Sequence, residues 1–185
     1  MLKSIIRKSA VLLFIITLLI FFAVQFFFKT DEYFQISDFQ YILATSIANA
    51  FVITSVYALM GAYNMMRWTA KNNGGFLKVL KLTFLPGFIA GIMSLCAIFA
   101  YYYYVDPDGI ELLKTQYLDY SLIQAQENGE YEEVAKVVNS EAVRNTNLLT
   151  YRVFTLILGI ITFFNLSLGL MITFLWKIKT TPSKK

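Results

Sequence analysis

The sequence predicts an all-α integral membrane protein: a four-helix bundle with an extramembrane amphipathic helical hairpin between its third and fourth spans. Three observations predict it. Of the 185 residues, 57% are hydrophobic and only 15% charged, with a mean hydropathy of +0.58; that is too apolar for a soluble domain and far from the composition of disorder. Four uncharged stretches reach the roughly 20 residues that a helix needs to cross a bilayer. The charges are also segregated, because every acidic residue falls on one side of those stretches.

The first span covers residues 9–28 and follows a basic leader of Lys3, Arg7 and Lys8. Its apolar run exceeds that of a secretory signal, and it ends in Phe26-Phe27-Phe28-Lys29 without a small-x-small cleavage site, so it reads as a retained anchor. The second span runs from about residue 42 to 66, the third from 82 to 104 and the fourth from 153 to 176. Helix is the spanning form, since lipid leaves no other partner for backbone N–H and C=O groups. Strand alternation is absent: Val11 to Ile16 is apolar on every side. The whole chain reads as one membrane domain, 1–185, with the insertion at 105–152 and a basic tail at 177–185.

Orientation follows from lysine and arginine. The N-terminus, the loop between spans two and three, and the tail together hold eleven basic residues and no acid. The opposite side holds five basic residues and all twelve acids, so +11 faces −7 and the net charge is +4. The basic side is therefore predicted to be cytoplasmic, with both termini on it. Residues 29–39 and 105–152 are then periplasmic, in the inner membrane of a bacterium. A pI of about 9.1 needs no nucleic-acid partner, because the excess basic charge lies beside anionic lipid headgroups. Trp68 and Trp176 mark the cytoplasmic boundary, and Tyr41, Tyr101 to Tyr104 and Tyr151 mark the outer one as an aromatic belt.

Almost fifty residues separate spans three and four, too many for a structureless loop. Asp106-Pro107-Asp108-Gly109 opens the segment as a turn whose aspartates can cap a helix. Ile110, Leu113, Tyr117 and Tyr120 recur at helical spacing, Asn128-Gly129 interrupts, and Tyr131, Val134, Val137, Val138 and Ala142 form a second stripe. The expected apolar face of this hairpin is Ile110, Leu113, Tyr117, Val134, Val137 and Val138. It must be covered by self-packing or by a protein partner, because its acidic opposite face is unsuited to anionic lipid.

Within the spans, Gly87 and Gly91 form a small-residue face on the third and Ala58 and Ala62 a similar one on the second, for helix packing or a partner interface. Pro86 lies about one turn into the third span, where a lost backbone bond is tolerable or gives a kink. No ionisable side chain falls inside a span, which removes the usual proton relay of a transporter. Asn49, Asn165 and Gln25 are the candidate intramembrane polar contacts, with the two asparagines expected to face the bundle interior. Arg152 is expected to snorkel or to pair with Asp38 or Asp106. The chain has no histidine and one cysteine, Cys96, expected to be a packing residue. No catalytic, cofactor-binding or metal-binding residue is expected, and neither a phosphate loop nor a nucleophile elbow is present.

The order of Asn73-Gly74-Gly75-Phe76 with Lys78, a glycine-bearing third span and a tyrosine cluster running into Asp106-Pro107-Asp108 resembles the bacterial membrane family catalogued as domain of unknown function 4199. The resemblance covers nearly the whole chain. It implies occurrence in Gram-negative bacteria in association with a family 2 glycosyltransferase, and it carries over no functional residue. The expected function is a non-catalytic inner-membrane accessory subunit that binds and positions an envelope enzyme, such as a glycosyltransferase that uses a polyprenyl phosphate. The alternative is a small homo-oligomeric transporter or channel with a neutral polar path. The expected partners are membrane lipids, a membrane protein or a second copy, and no nucleic acid.

Overall fold

The computed structural model describes residues 2–29, 40–72 and 75–180, and all its regular elements are helical. In chain order they are α1 (Leu2–Phe28), α2 (Gln40–Ile47), a π-helical turn (Ala48–Ile53), α3 (Thr54–Thr69), α4 (Phe76–Tyr104), α5 (Pro107–Asn128), α6 (Tyr131–Val138), α7 (Glu141–Arg144) and α8 (Tyr151–Thr180). Four helical stretches are long and apolar enough to cross a membrane: Leu2–Phe28, Gln40–Thr69, Phe76–Tyr104 and Tyr151–Lys179. The second of these is α2, the π turn and α3 in continuous succession. Most of the loop expected at 29–39 lies outside the described residues, as do Asn73, Gly74 and the tail from residue 181.

Large apolar side chains point outward along all four spans, among them Leu19, Leu59, Ile89 and Phe163. A surface of that kind is insoluble in water and suited to lipid, so packing inside the bundle rests on shape and hydrogen bonds instead of apolar transfer. The helix α4 is central and packs against α1, α3 and α8. The half nearer the basic residues is tight: Leu13, Val79, Leu82, Pro86, Asn64 and Thr173 are almost wholly enclosed. Small groups make this possible. A Cβ on Gly61 would stand 3.1 Å from the Thr83 carbonyl oxygen, and one on Gly169 would stand 3.0 Å from Phe84 Cβ. Thr83 Oγ1 lies 3.2 Å from Thr173 Oγ1 and donates to the Gly169 carbonyl, closing α4 onto α8. Ser9 donates to Asn64 Oδ1 at 3.0 Å and ties α1 to α3.

Pro86 lies ten residues past the start of α4, not one turn in, because the helix begins at Phe76, upstream of the uncharged run. Cys96 is exposed on the outer face of α4 and does not serve as a packing residue.

On the acidic side, α5 starts with Asp106 as its cap: the carboxylate accepts from the Gly109 N–H at 3.1 Å, with Pro107 following at the first helical position. The helix stops at Gly129, whose φ of 76° is a left-handed conformation that a side chain would strain. Its flank packs on the bundle end through Leu113, which joins Val24, Tyr41, Ala48 and Tyr102 in one cluster. Gln116 Oε1 accepts from the Ile42 N–H at 3.2 Å, satisfying a donor at the start of α2. The helix α6 packs on α5 and α7 follows it. Of the stripe expected to be covered, Leu113 and Val138 are buried and Ile110 and Val134 are half-buried, but Tyr117 and Val137 are exposed.

Candidate functional site

In the acidic half the bundle opens. No Cα of α2 or of the π turn lies within 8 Å of one in α8, although α3 meets α8 lower down. The gap between the second and fourth spans is a cavity of about 630 Å³. Its back wall is α1 and α4, with Ile20, Phe21, Leu95 and Ile98. Its lips are Asn49, Ala50 and Ile53 on one side and Val153, Ile157 and Phe164 on the other. Ile110, Leu113, Leu148 and Leu149 line it on the acidic side. None of the described lining residues is charged.

Where the cavity ends towards mid-span, one residue comes from each span: Thr17, Tyr57, Gly91 and Asn165. Thr17 Oγ1 lies 2.9 Å from Tyr57 Oη while also donating to the Leu13 carbonyl. Asn165 Nδ2 donates to its own Ile161 carbonyl at 2.9 Å. Its Oδ1 and the Tyr57 ring occupy the space that a side chain on Gly87 would need, and Ile161 Cγ2 would stand 2.6 Å from a Cβ on Gly91. The two glycines are thus engaged inside this chain by α8 and α3. Ala58 and Ala62 are half-buried, and Gly61, one position before Ala62, is where a Cβ would press on the backbone of α4 at Thr83.

At the acidic end a second polar group closes on itself. Tyr41 Oη donates to Gln25 Oε1 at 2.7 Å, Gln25 Nε2 donates to Tyr102 Oη at 2.9 Å, and the two hydroxyls lie 3.0 Å apart. With Tyr102 donating to Tyr41, both hydroxyl hydrogens and one hydrogen of the Gln25 amide have acceptors, and α1, α2 and α4 are pinned together. Tyr41 and Tyr102 are 1% and 4% exposed, so they are interior residues and not part of an exposed aromatic belt; Tyr103, Tyr104 and Tyr151 are exposed. The signal in the sequence was Gln25 itself, an amide in lipid that requires partners at its own depth. Just beyond the ring, Lys29 pairs with Asp106, which joins the end of α1 to the start of α5. Arg152 is exposed and makes no ion pair among the described residues; Asp38 lies outside them.

Gln25, Asn49 and Asn165 therefore line one cavity, but in different ways. The Gln25 amide is held within the ring, and Asn165 reaches its own helix and Gly87. Asn49 is exposed and donates back to the Thr45 carbonyl at 2.9 Å, outside the packed interior where it was expected. Among the described residues the buried asparagine is Asn64.

Among the described residues no group of three His, Cys, Asp or Glu side chains could hold a metal. Fold and cavity together define an all-helical chain with four helices long and apolar enough to cross a membrane and, among the described residues, an uncharged recess between the second and fourth of them. The chain belongs to the protein family of unknown function DUF4199, whose model matches residues 8–177. No curated protein and no solved structure matches it.

Proposed function

We propose that this protein is a non-catalytic accessory subunit of the bacterial inner membrane that binds and positions an envelope enzyme through its periplasmic helices. One observation carries the reading: apolar side chains left uncovered beyond the ends of the spans, where lipid does not account for them. Tyr117 and Ile123 on α5 and Tyr131 and Val137 on α6 are 59%, 42%, 47% and 61% exposed. Exposed apolar residues on packed extramembrane helices fit a protein-binding surface. Glu127, Glu130, Glu132 and Glu133, on the same two helices and their junction, are exposed as well, which suits a partner whose matching face is apolar with a basic rim.

Lysine and arginine counting supports placing α5 to α7 in the periplasm and both termini in the cytoplasm. The family resemblance supports an enzyme such as a family 2 glycosyltransferase that uses a polyprenyl phosphate. A second reading, a homo-oligomeric transporter, draws support from the shared cavity of Gln25, Asn49 and Asn165. It is the weaker one, because the enclosed Leu13, Val79, Leu82 and Pro86 leave no path through the basic half.

Photocrosslinking in living cells tests the accessory role. With a benzoylphenylalanine at position 137 or 131, a discrete adduct to one other membrane protein is expected, and none when the probe replaces Leu59 on the second span. Adducts to a second copy alone, or equal adducts from all three positions, would refute the role.

A further inference from the structure

We propose that the side cavity is a binding site for one acyl chain of a membrane lipid, which enters from the bilayer between the second and fourth spans. The size of the cavity, its wall chemistry and its depth each support this. At ~30 Å³ for a methylene-sized group, a value close to the volume share of a water molecule, 630 Å³ holds on the order of 20 groups. That is a single chain, and far less than both chains of a phospholipid. A volume in this range is typical of ligand sites, which are mostly apolar with a few fixed polar groups.

The walls exclude the other occupants. Water needs several polar partners, and most of the lining groups are engaged by the chain itself: Gln25, Tyr41 and Tyr102 close a ring, Thr17 bonds to Tyr57 and to a backbone carbonyl, and Asn49 and Asn165 donate to their own helices. Thr45 Oγ1, buried with no partner among the described residues, offers one contact more, too few to fill the recess with water. A charged headgroup has no counter-ion among the described lining residues. A partner's transmembrane helix needs a groove along the full ~30 Å of hydrocarbon, whereas this recess ends at Asn165 and Leu168, above the closed contact of Thr83 with Thr173. An empty recess of this size would forfeit the dispersion contacts of its whole lining.

The acyl chain is predicted to lie with its end near Thr17 and Asn165. Its ester then stays at the acidic-side headgroup level, outside the recess, and the second chain rests against the outer faces of Phe51 and Leu156. The π turn borders the entrance, since its Asn49, Ala50 and Ile53 line the cavity on the second span and Ile157 lines it on the fourth.

The test uses the full chain, purified from its membrane in mild detergent, alone and without any partner, so its outcome is independent of the accessory reading. Native mass spectrometry should show one phospholipid retained per chain. Ile157→Trp, which fills the entrance, should lower that occupancy at least fivefold, and Leu156→Trp, the next residue on the lipid-facing side, should leave it unchanged. A phosphatidylethanolamine with a diazirine near the end of one acyl chain covers the case in which Ile157→Trp fails to fold. On the native chain its label should concentrate on Thr17, Tyr57, Ile161 and Asn165, at the deep end of the cavity, and spare Leu59 and Phe163. Four results would each overturn the proposal: no retained lipid, equal loss in both variants, uniform labelling of every lipid-facing position, or labelling of the cavity by a photoreactive isoprenol but not by the acyl probe.

Discussion

Gln25 shows how one polar residue organises lipid-embedded structure. In water its amide would exchange protein partners for solvent at little net cost, but within a span it must be satisfied by the protein. Two tyrosine hydroxyls do this, and the ring they complete holds three helices at one depth. Gln25→Leu breaks two of the three bonds and should lower stability by about 1–2 kcal/mol, near the upper end for intramembrane hydrogen bonds. Thr45→Val should be within about 0.5 kcal/mol of neutral, because Thr45 Oγ1 is buried with no partner among the described residues. The thermal midpoint in detergent reads both, and a neutral Gln25→Leu would mean that the ring does not hold the helices. Gln25 and Asn165 stand out in the sequence as polar interruptions, but their partners do not. Tyr41 and Tyr102 look like any boundary tyrosine, and Gly61 has no small residue at the spacing that draws attention to Gly87 and Gly91.

The second span carries the feature that shapes the cavity. Its sequence over Ala48–Ile53 is apolar and compatible with a plain α-helix, so nothing local announces a π turn. Such a turn holds one residue more than the α-helix and often marks a functional site. N-terminal to the turn, Tyr41 reaches the ring and the Ile42 N–H reaches Gln116. The extra residue is absorbed as a bulge, so deleting Ala50 should convert the segment to plain α-helix while α2 keeps its phase relative to α3. Both contacts should then survive, with near-UV tyrosine dichroism kept and the thermal midpoint falling less than in Gln25→Leu. A larger fall, with loss of that dichroism, would show that the turn itself sets the direction of α2. The extramembrane helices were more legible. Asp106, Pro107 and the Asn128-Gly129 break carry start and stop signals that need no tertiary context, and they bound α5 in the structure. Which residues of α5 are buried depended on context: Leu113, Leu118 and Ala125 lie inward, and Tyr117 points out.

At the scale of the molecule, hydropathy alone shows four helices long and apolar enough to cross a membrane, because a span has to be apolar over its whole length in any fold. The gap between the second and fourth spans leaves no such trace. It arises where two helices that meet near Gly61 and Ile172 fail to meet nearer the acidic side, and residues on both lips are as aliphatic as those facing lipid elsewhere. The proposals of a lipid chain in that gap and a protein on α5 and α6 both depend on this architecture: tight at the basic end, open to the side at the acidic end.

Disulfide trapping in native membranes, in a background with Cys96→Ala, tests that architecture most directly, since a disulfide requires Cα atoms closer than about 7 Å. The pair Thr83→Cys with Thr173→Cys should close under mild oxidant, and the pair Ala50→Cys with Ile157→Cys should remain reduced. Equally rapid closure of the second pair would mean that the spans meet along their whole length, leaving no side cavity.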